Sequence, residues 1–163
     1  MIINNLKTKS AKGKMDSFYG DRSIVMSKKL LRNIKSNPLI RDLYISDIGY
    51  YPHAKNHFRK RDAGIVENIL IYCIHGSGII EMNGQSCLIV PNSFFVIPAR
   101  EPHLYAASEN DPWSIYWLHF GGNKSRCFER FFGGFHKIKA CSNSRVDERI
   151  NLFNEILTAL ELG

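Results

Sequence analysis

Between residues 39 and 122 a turn signal returns every six to twelve residues. Gly76-Ser77-Gly78, Asn83-Gly84, Pro91-Asn92, Pro98 and Gly121-Gly122 punctuate the stretch. Between them lie short β-rich runs: Leu43 to Ile48, Asn68 to Ile74, Ile79 to Met82, Leu88 to Val90, Phe94 to Ile97, Leu104 to Ala106 and Ser114 to Phe120. Asn83-Gly84 between two such runs is a strong hairpin signal. This rhythm leaves no room for crossover helices. It predicts an antiparallel sandwich or barrel rather than a βαβ sheet.

The flanks read differently. Residues 1–17 carry Lys, Asn, Ser and Gly with little periodicity. Ser27 is placed to cap a short helix bearing Leu30, Leu31 and Ile34, although the segment could equally be an arm lying across the body. Asn37-Pro38 is a break. Past Gly122, Lys124 to Phe132 can form a helix that stops at Gly133-Gly134. Phe135 to Ala140 reads as a further strand. After Ser144 an amphipathic helix follows, with Val146, Ile150, Phe153, Ile156, Leu157 and Leu160 on one stripe. That helix is still running at Gly163, so a truncated chain, or a stripe meant for another subunit, is expected.

Charge separates the same regions. Residues 1–41 hold ten basic and two acidic side chains, a net +8, whereas residues 42–163 hold twelve and thirteen, a net −1. The whole net charge of +7 therefore sits in front of a near-neutral body. It is spread without a run of five like charges, which argues weakly for a nucleic-acid grip. The longest apolar run, Ile69 to Ile74, is far short of the roughly 20 residues of a membrane helix. No secretory pattern opens the chain, and a cytoplasmic location without membrane contact is expected. Cys73, Cys87, Cys127 and Cys141 form no C-x-x-C pair and read as reduced thiols.

The candidates for chemistry are few. His53 and His57 stand four apart, but around Ala54-Lys55-Asn56 they fall in a loop or strand edge where chelation is awkward. A barrel could gather three of the six histidines on one metal, yet no close His-x-His with a following Glu is present, and no metal or cofactor is expected. No nucleophile sits in an elbow or beside a base. The aromatic group Trp113, Tyr116, Trp117 and Tyr105 says more. Period two puts Ile115, Trp117 and His119 on one strand face, and His103 and Tyr105 likewise share a face. Such a lining suits a small polar ligand with an apolar face, such as a sugar. The same rings would also serve simply to fill a core.

The stretch from Asp47 to Gly122 resembles the N-terminal regulatory domain of AraC/XylS-family transcription activators. The resemblance is carried by Gly49-Tyr50-Tyr51-Pro52, Arg61 with Gly64, and Leu70-Ile71-Tyr72 followed by Gly76 and Gly78. It continues through Asn83-Gly84, Leu88, Pro91-Asn92, Phe95, Pro98, Pro102-His103 and Tyr105, and closes on Pro112-Trp113, Tyr116-Trp117, His119-Phe120 and Gly122. It implies a cupin-like, jelly-roll antiparallel β-barrel over 39–122, behind a basic arm over 1–38. Residues 123–163 would then hold a helix, a short strand and a truncated dimerisation helix. The implied function is a non-enzymatic, effector-sensing domain of a homodimeric regulator. DNA would be read only by a C-terminal helix-turn-helix domain absent from this chain.

In sugar-sensing members the ligand contacts fall on Arg61, Tyr105 and Trp117, with Tyr51 nearby and an arm residue closing over the site. His103 and His119 share those faces. Ile115 departs from the pattern, because the sugar sensors carry a His there. One polar contact is lost, which implies a different pose, or a larger or less polar ligand. His103 matches a cupin metal position, but the upstream His-x-His is missing. A free-standing metal-dependent cupin isomerase or dioxygenase is the competing reading.

Overall fold

A computed structural model describes residues 18–128, 134–137 and 145–162, with the backbone alone for 134–137. Its strands are β1 (Arg22–Val25), β2 (Tyr44–Tyr51), β3 (Phe58–Arg61), β4 (Asn68–His75), β5 (Gly78–Met82), β6 (Gln85–Ile89), β7 (Ser93–Ile97), β8 (His103–Ala107), β9 (Ser114–Gly121) and β10 (Gly134–Lys137). Helix α1 (Lys28–Ser36) lies between β1 and β2, and α2 (Val146–Leu162) ends the described chain. One sheet runs β1-β2-β9-β4-β7-β10 and the other β3-β8-β5-β6, with antiparallel neighbours in both. Two such sheets face to face, joined by crossing connections, form the expected cupin-like jelly roll.

Local chemistry accounts for the elements. Asn83 and Gly84 both adopt positive φ (53° and 73°), as a two-residue hairpin turn between β5 and β6 requires. Ser27 caps α1 by accepting the backbone N–H of Leu30. β4, β7 and β9 are covered on both faces, which is why Ile69 to Ile74 reads as continuous apolar sequence. Inside the barrel Ile69, Ile71, Phe95, Ile97, Trp113 and Ile115 form the core. On the outer face Tyr72, Leu70, Phe94, Tyr116 and Leu118 meet α2.

That contact answers the question the α2 stripe raised. Ile150, Phe153, Ile156, Leu157 and Leu160 pack on the barrel's own outer sheet, with Leu157 fully buried. The stripe therefore has its partner within the chain. α2's solvent side carries Leu152, which is 58% exposed, and Leu162, 84% exposed.

Three further readings changed. β1 falls among residues read as arm, yet it pairs with β2 over four positions. Strict alternation would put Ile45 and Asp47 on one face. A bulge between them instead sends Ile45 to the outer cluster and Asp47 inward. Gly134, expected to stop a helix, opens β10, which pairs with β7. Residues 126–128 are helical, while the rest of the Lys124 to Phe132 helix, residues 138–140, Cys141 and Ser144 lie outside the described residues. Among the described residues no helix is long and apolar enough to cross a membrane.

Candidate functional site

The two sheets do not close completely on each other. Between them lies a half-open cavity of about 130 Å³. The large sheet contributes Tyr51 and Asp47 from β2, Ile69 and Ile71 from β4, and Ile115, Trp117 and His119 from β9. The small sheet contributes Arg59 and Arg61 from β3 and Tyr105 from β8. His57 stands before β3, and Val25 of β1 sits at the rim, 54% exposed.

Period two explains the large-sheet lining. Tyr51, Gly49 and Asp47 lie opposite Ile115, Trp117 and His119. Gly49 lets the Trp117 indole lie flat across β2. A Cβ there would come within 2.6 Å of Trp117 Cζ2 and 2.8 Å of the Arg22 carbonyl oxygen. The indole sits 5.3 Å from the Tyr51 ring and 5.2 Å from the His119 ring, centroid to centroid. Trp117 is 8% exposed, yet its Nε1 has no hydrogen-bond partner among the described residues. A buried donor without an acceptor is costly in a folded protein.

On the opposite wall Arg61 Nη1 donates to the Tyr105 hydroxyl at 3.1 Å and to His103 Nε2 at 3.2 Å. His103 Nδ1 lies 2.8 Å from the Glu101 carbonyl. Only a ring N–H can donate there, so Nδ1 carries the hydrogen and Nε2 accepts from Arg61. Burial pushes the His103 pKa down; the Glu101 carbonyl opposes this, while Arg61 and His119 add to it. The imidazole is therefore held neutral. The fold binds this proton less well than the unfolded chain does, so the associated stability is complete above pH 6.5. It declines as pH falls from there toward the depressed folded value. In thermal unfolding between pH 7.5 and 5, His103→Asn should flatten this decline. An unchanged pH slope in the variant would remove His103 as its source.

Asp47 carries the opposite balance. Burial disfavours its charge, but bonds from His119 and Ser46, with the His119 charge, outweigh burial and hold its pKa below the ordinary carboxylate range. Its Oδ2 accepts from Ser46 Oγ at 2.7 Å and lies 3.0 Å from His119 Nδ1.

Of the side chains expected to meet a ligand, Arg61, Tyr105, Trp117, Tyr51, Ile115 and His119 line one cavity. His103 does not. It stacks behind Tyr105, with ring centroids 5.9 Å apart, and steadies Arg61. Asp47, Arg59 and His57 are lining residues that sequence reasoning missed. Arg59 was within reach, since it stands two residues before Arg61 on one strand face. His57 is buried, and its Nδ1 accepts from Trp113 Nε1 at 3.1 Å, whereas His53 is exposed in a turn. Among the described residues no three His, Cys, Asp or Glu side chains converge as a metal site would need. Cys73 is buried in β4, and burial pushes its thiol up to about 12.

Similarity to known proteins identifies the family. Residues 47–137 match the AraC-like ligand binding domain family, more than half of the chain. The MmsAB operon regulatory protein of Pseudomonas aeruginosa is 30% identical over 108 residues, covering 64% of this chain and 35% of that protein. The chain thus spans about a third of the length of that relative. Among solved structures, KdgF from Halomonas sp. matches at 17% identity and TM-score 0.41, over 65% of this chain and 82% of its own. A cupin superfamily protein from Desulfitobacterium hafniense matches at 11% identity and TM-score 0.40, with the same two coverages. The family match covers β2 through β10, the strands that build the cavity apart from the β1 rim. The chain belongs to the AraC-like ligand-binding domain family.

Proposed function

We propose that this chain is the effector-sensing part of an AraC-family transcription regulator. A small polar molecule, a sugar or a similar compound, binds in the barrel and shifts the geometry of a homodimer. DNA is contacted through a further domain outside this chain, and the protein works in the cytoplasm without catalysing a reaction. The observation that carries this reading is the unsatisfied Trp117 donor in a preformed cavity of a ligand-binding family. The dimer contact uses the solvent side of α2, around Leu152 and Leu162.

β1 supports a route from cavity to dimer. Its Val25 is at the cavity rim, while Arg22, on the other strand face, reaches α2. Arg22 Nη2 donates to Glu161 at 2.8 Å, and Asn154 of α2 accepts from both Arg22 and the Tyr116 hydroxyl. A ligand that moves β1 would therefore bias α2, provided it binds the two arrangements differently.

The test is Arg22→Ala in the full-length regulator with a transcriptional reporter. Arg22 and Glu161 are about 40% exposed, and such a pair adds little stability. Effector affinity should stay within about twofold, because Arg22 lies outside the cavity, while the effector response falls several-fold. An unchanged response would contradict the route through β1.

A further inference from the structure

The cavity's unmet hydrogen-bonding groups define the chemistry of what enters it. Arg61 uses only Nη1 within the protein, and both acceptors there are neutral. Its Nε–Nη2 edge, the side that pairs in parallel with a carboxylate, has no partner among the described residues. The neighbouring acid in sequence, Asp62, is turned to solvent and paired with Lys60 at 3.4 Å. Across the cavity Trp117 Nε1 is a second unmet donor. Asp47 supplies the acceptor: Oδ2 is taken by Ser46 and His119, and Oδ1 makes no hydrogen bond among the described residues. Between these two walls Ile69, Ile71 and Ile115 are apolar.

We infer that the effector is a small hydroxycarboxylate rather than a neutral sugar. Its carboxylate pairs with the Nε–Nη2 edge of Arg61, its short carbon body lies on Ile69, Ile71 and Ile115, and its hydroxyl meets Asp47 and Trp117. This rests on the effector-binding reading above and narrows it. The size agrees: a cavity of roughly 150 Å³ holds benzene, six heavy atoms. A half-open space of about 130 Å³ suits an acid of about that size, such as lactate. A guanidinium edge pairs in parallel with the two oxygens of a planar carboxylate.

The experiment is calorimetric titration of the chain at constant ionic strength with L-lactate and 3-hydroxybutyrate. Each is matched to its neutral amide, with L-arabinose, D-xylose and inorganic phosphate as the other probes. The expected result is binding of at least one hydroxy acid, with its amide at least tenfold weaker. Arg61→Gln should remove that preference, and Arg61→Lys should keep part of it. Arg61 is only half-buried, so both variants should fold. Equal binding of acid and amide, or tighter binding of a pentose, would overturn the carboxylate assignment and leave the effector-binding reading standing. Preference for phosphate would do the same. Binding of none of these probes would overturn both.

Discussion

Trp113→Ala lowers the thermal midpoint of this domain by roughly 6–20 °C. Trp113 is fully buried in the inner core, and its ring lies against Gly78 so closely that no Cβ fits there. Truncating a buried Trp to Ala costs about 3–5 kcal/mol, and in a chain of this length each kcal/mol moves the midpoint by about 2–4 °C. The change also removes the hydrogen bond that Trp113 Nε1 donates to the buried His57 Nδ1. Trp113→Phe keeps much of the volume but loses that bond, for a cost of about 1–3 kcal/mol. Circular dichroism melts of the two variants measure both values. A midpoint unchanged in Trp113→Ala would mean this ring does not hold the sheets together.

Trp117→Ala weakens effector binding at least tenfold, about 1.4 kcal/mol. The variant loses both the ring that floors the cavity and the only indole donor facing an unmet bond. Trp117→Phe separates the two contributions. Its Nε1 has no partner to lose, so the free domain should be as stable as wild type or slightly more so. Affinity should still fall several-fold. The same Trp→Phe change thus destabilises at 113 and spares stability at 117, because one indole N–H is satisfied and the other is not. Titrations followed by indole fluorescence, with Trp113 as the remaining reporter, give the affinities. Wild-type affinity in Trp117→Ala would place the binding site elsewhere.

The barrel was legible because its information is local. Turn chemistry at Asn83-Gly84, Pro91-Asn92 and Gly121-Gly122 cuts the chain into pieces of strand length, and alternation assigns Ile115, Trp117 and His119 to one face. β3 escaped for a physical reason. Phe58-Arg59-Lys60-Arg61 is mostly charged, an unpromising strand by propensity, yet its inward Arg59 and Arg61 line a half-open cavity rather than fill a closed core. Asp47 escaped because alternation counted from Ile45 crosses a one-residue bulge; counted back from Tyr51 through Gly49 it falls on the cavity face. The His57–Trp113 bond joins residues 56 apart and follows only from the closed barrel. α2 was legible as an amphipathic helix, but its partner was not. Whether an apolar stripe meets a sheet of the same chain or a second subunit is a tertiary fact, and here the stripe covers Tyr72, Tyr116 and Leu118.

The most direct test of the account follows the two indole N–H signals in a proton–nitrogen correlation spectrum, assigned with Trp113→Phe and Trp117→Phe. Trp113 Nε1 donates to His57, and Trp117 Nε1 has no hydrogen-bond partner among the described residues. When a compound that binds the domain is added, the Trp117 signal should move downfield as its N–H finds a partner, and the Trp113 signal should stay nearly still. A compound that binds stoichiometrically while the Trp117 signal stays fixed would contradict the claim that this cavity is the effector site.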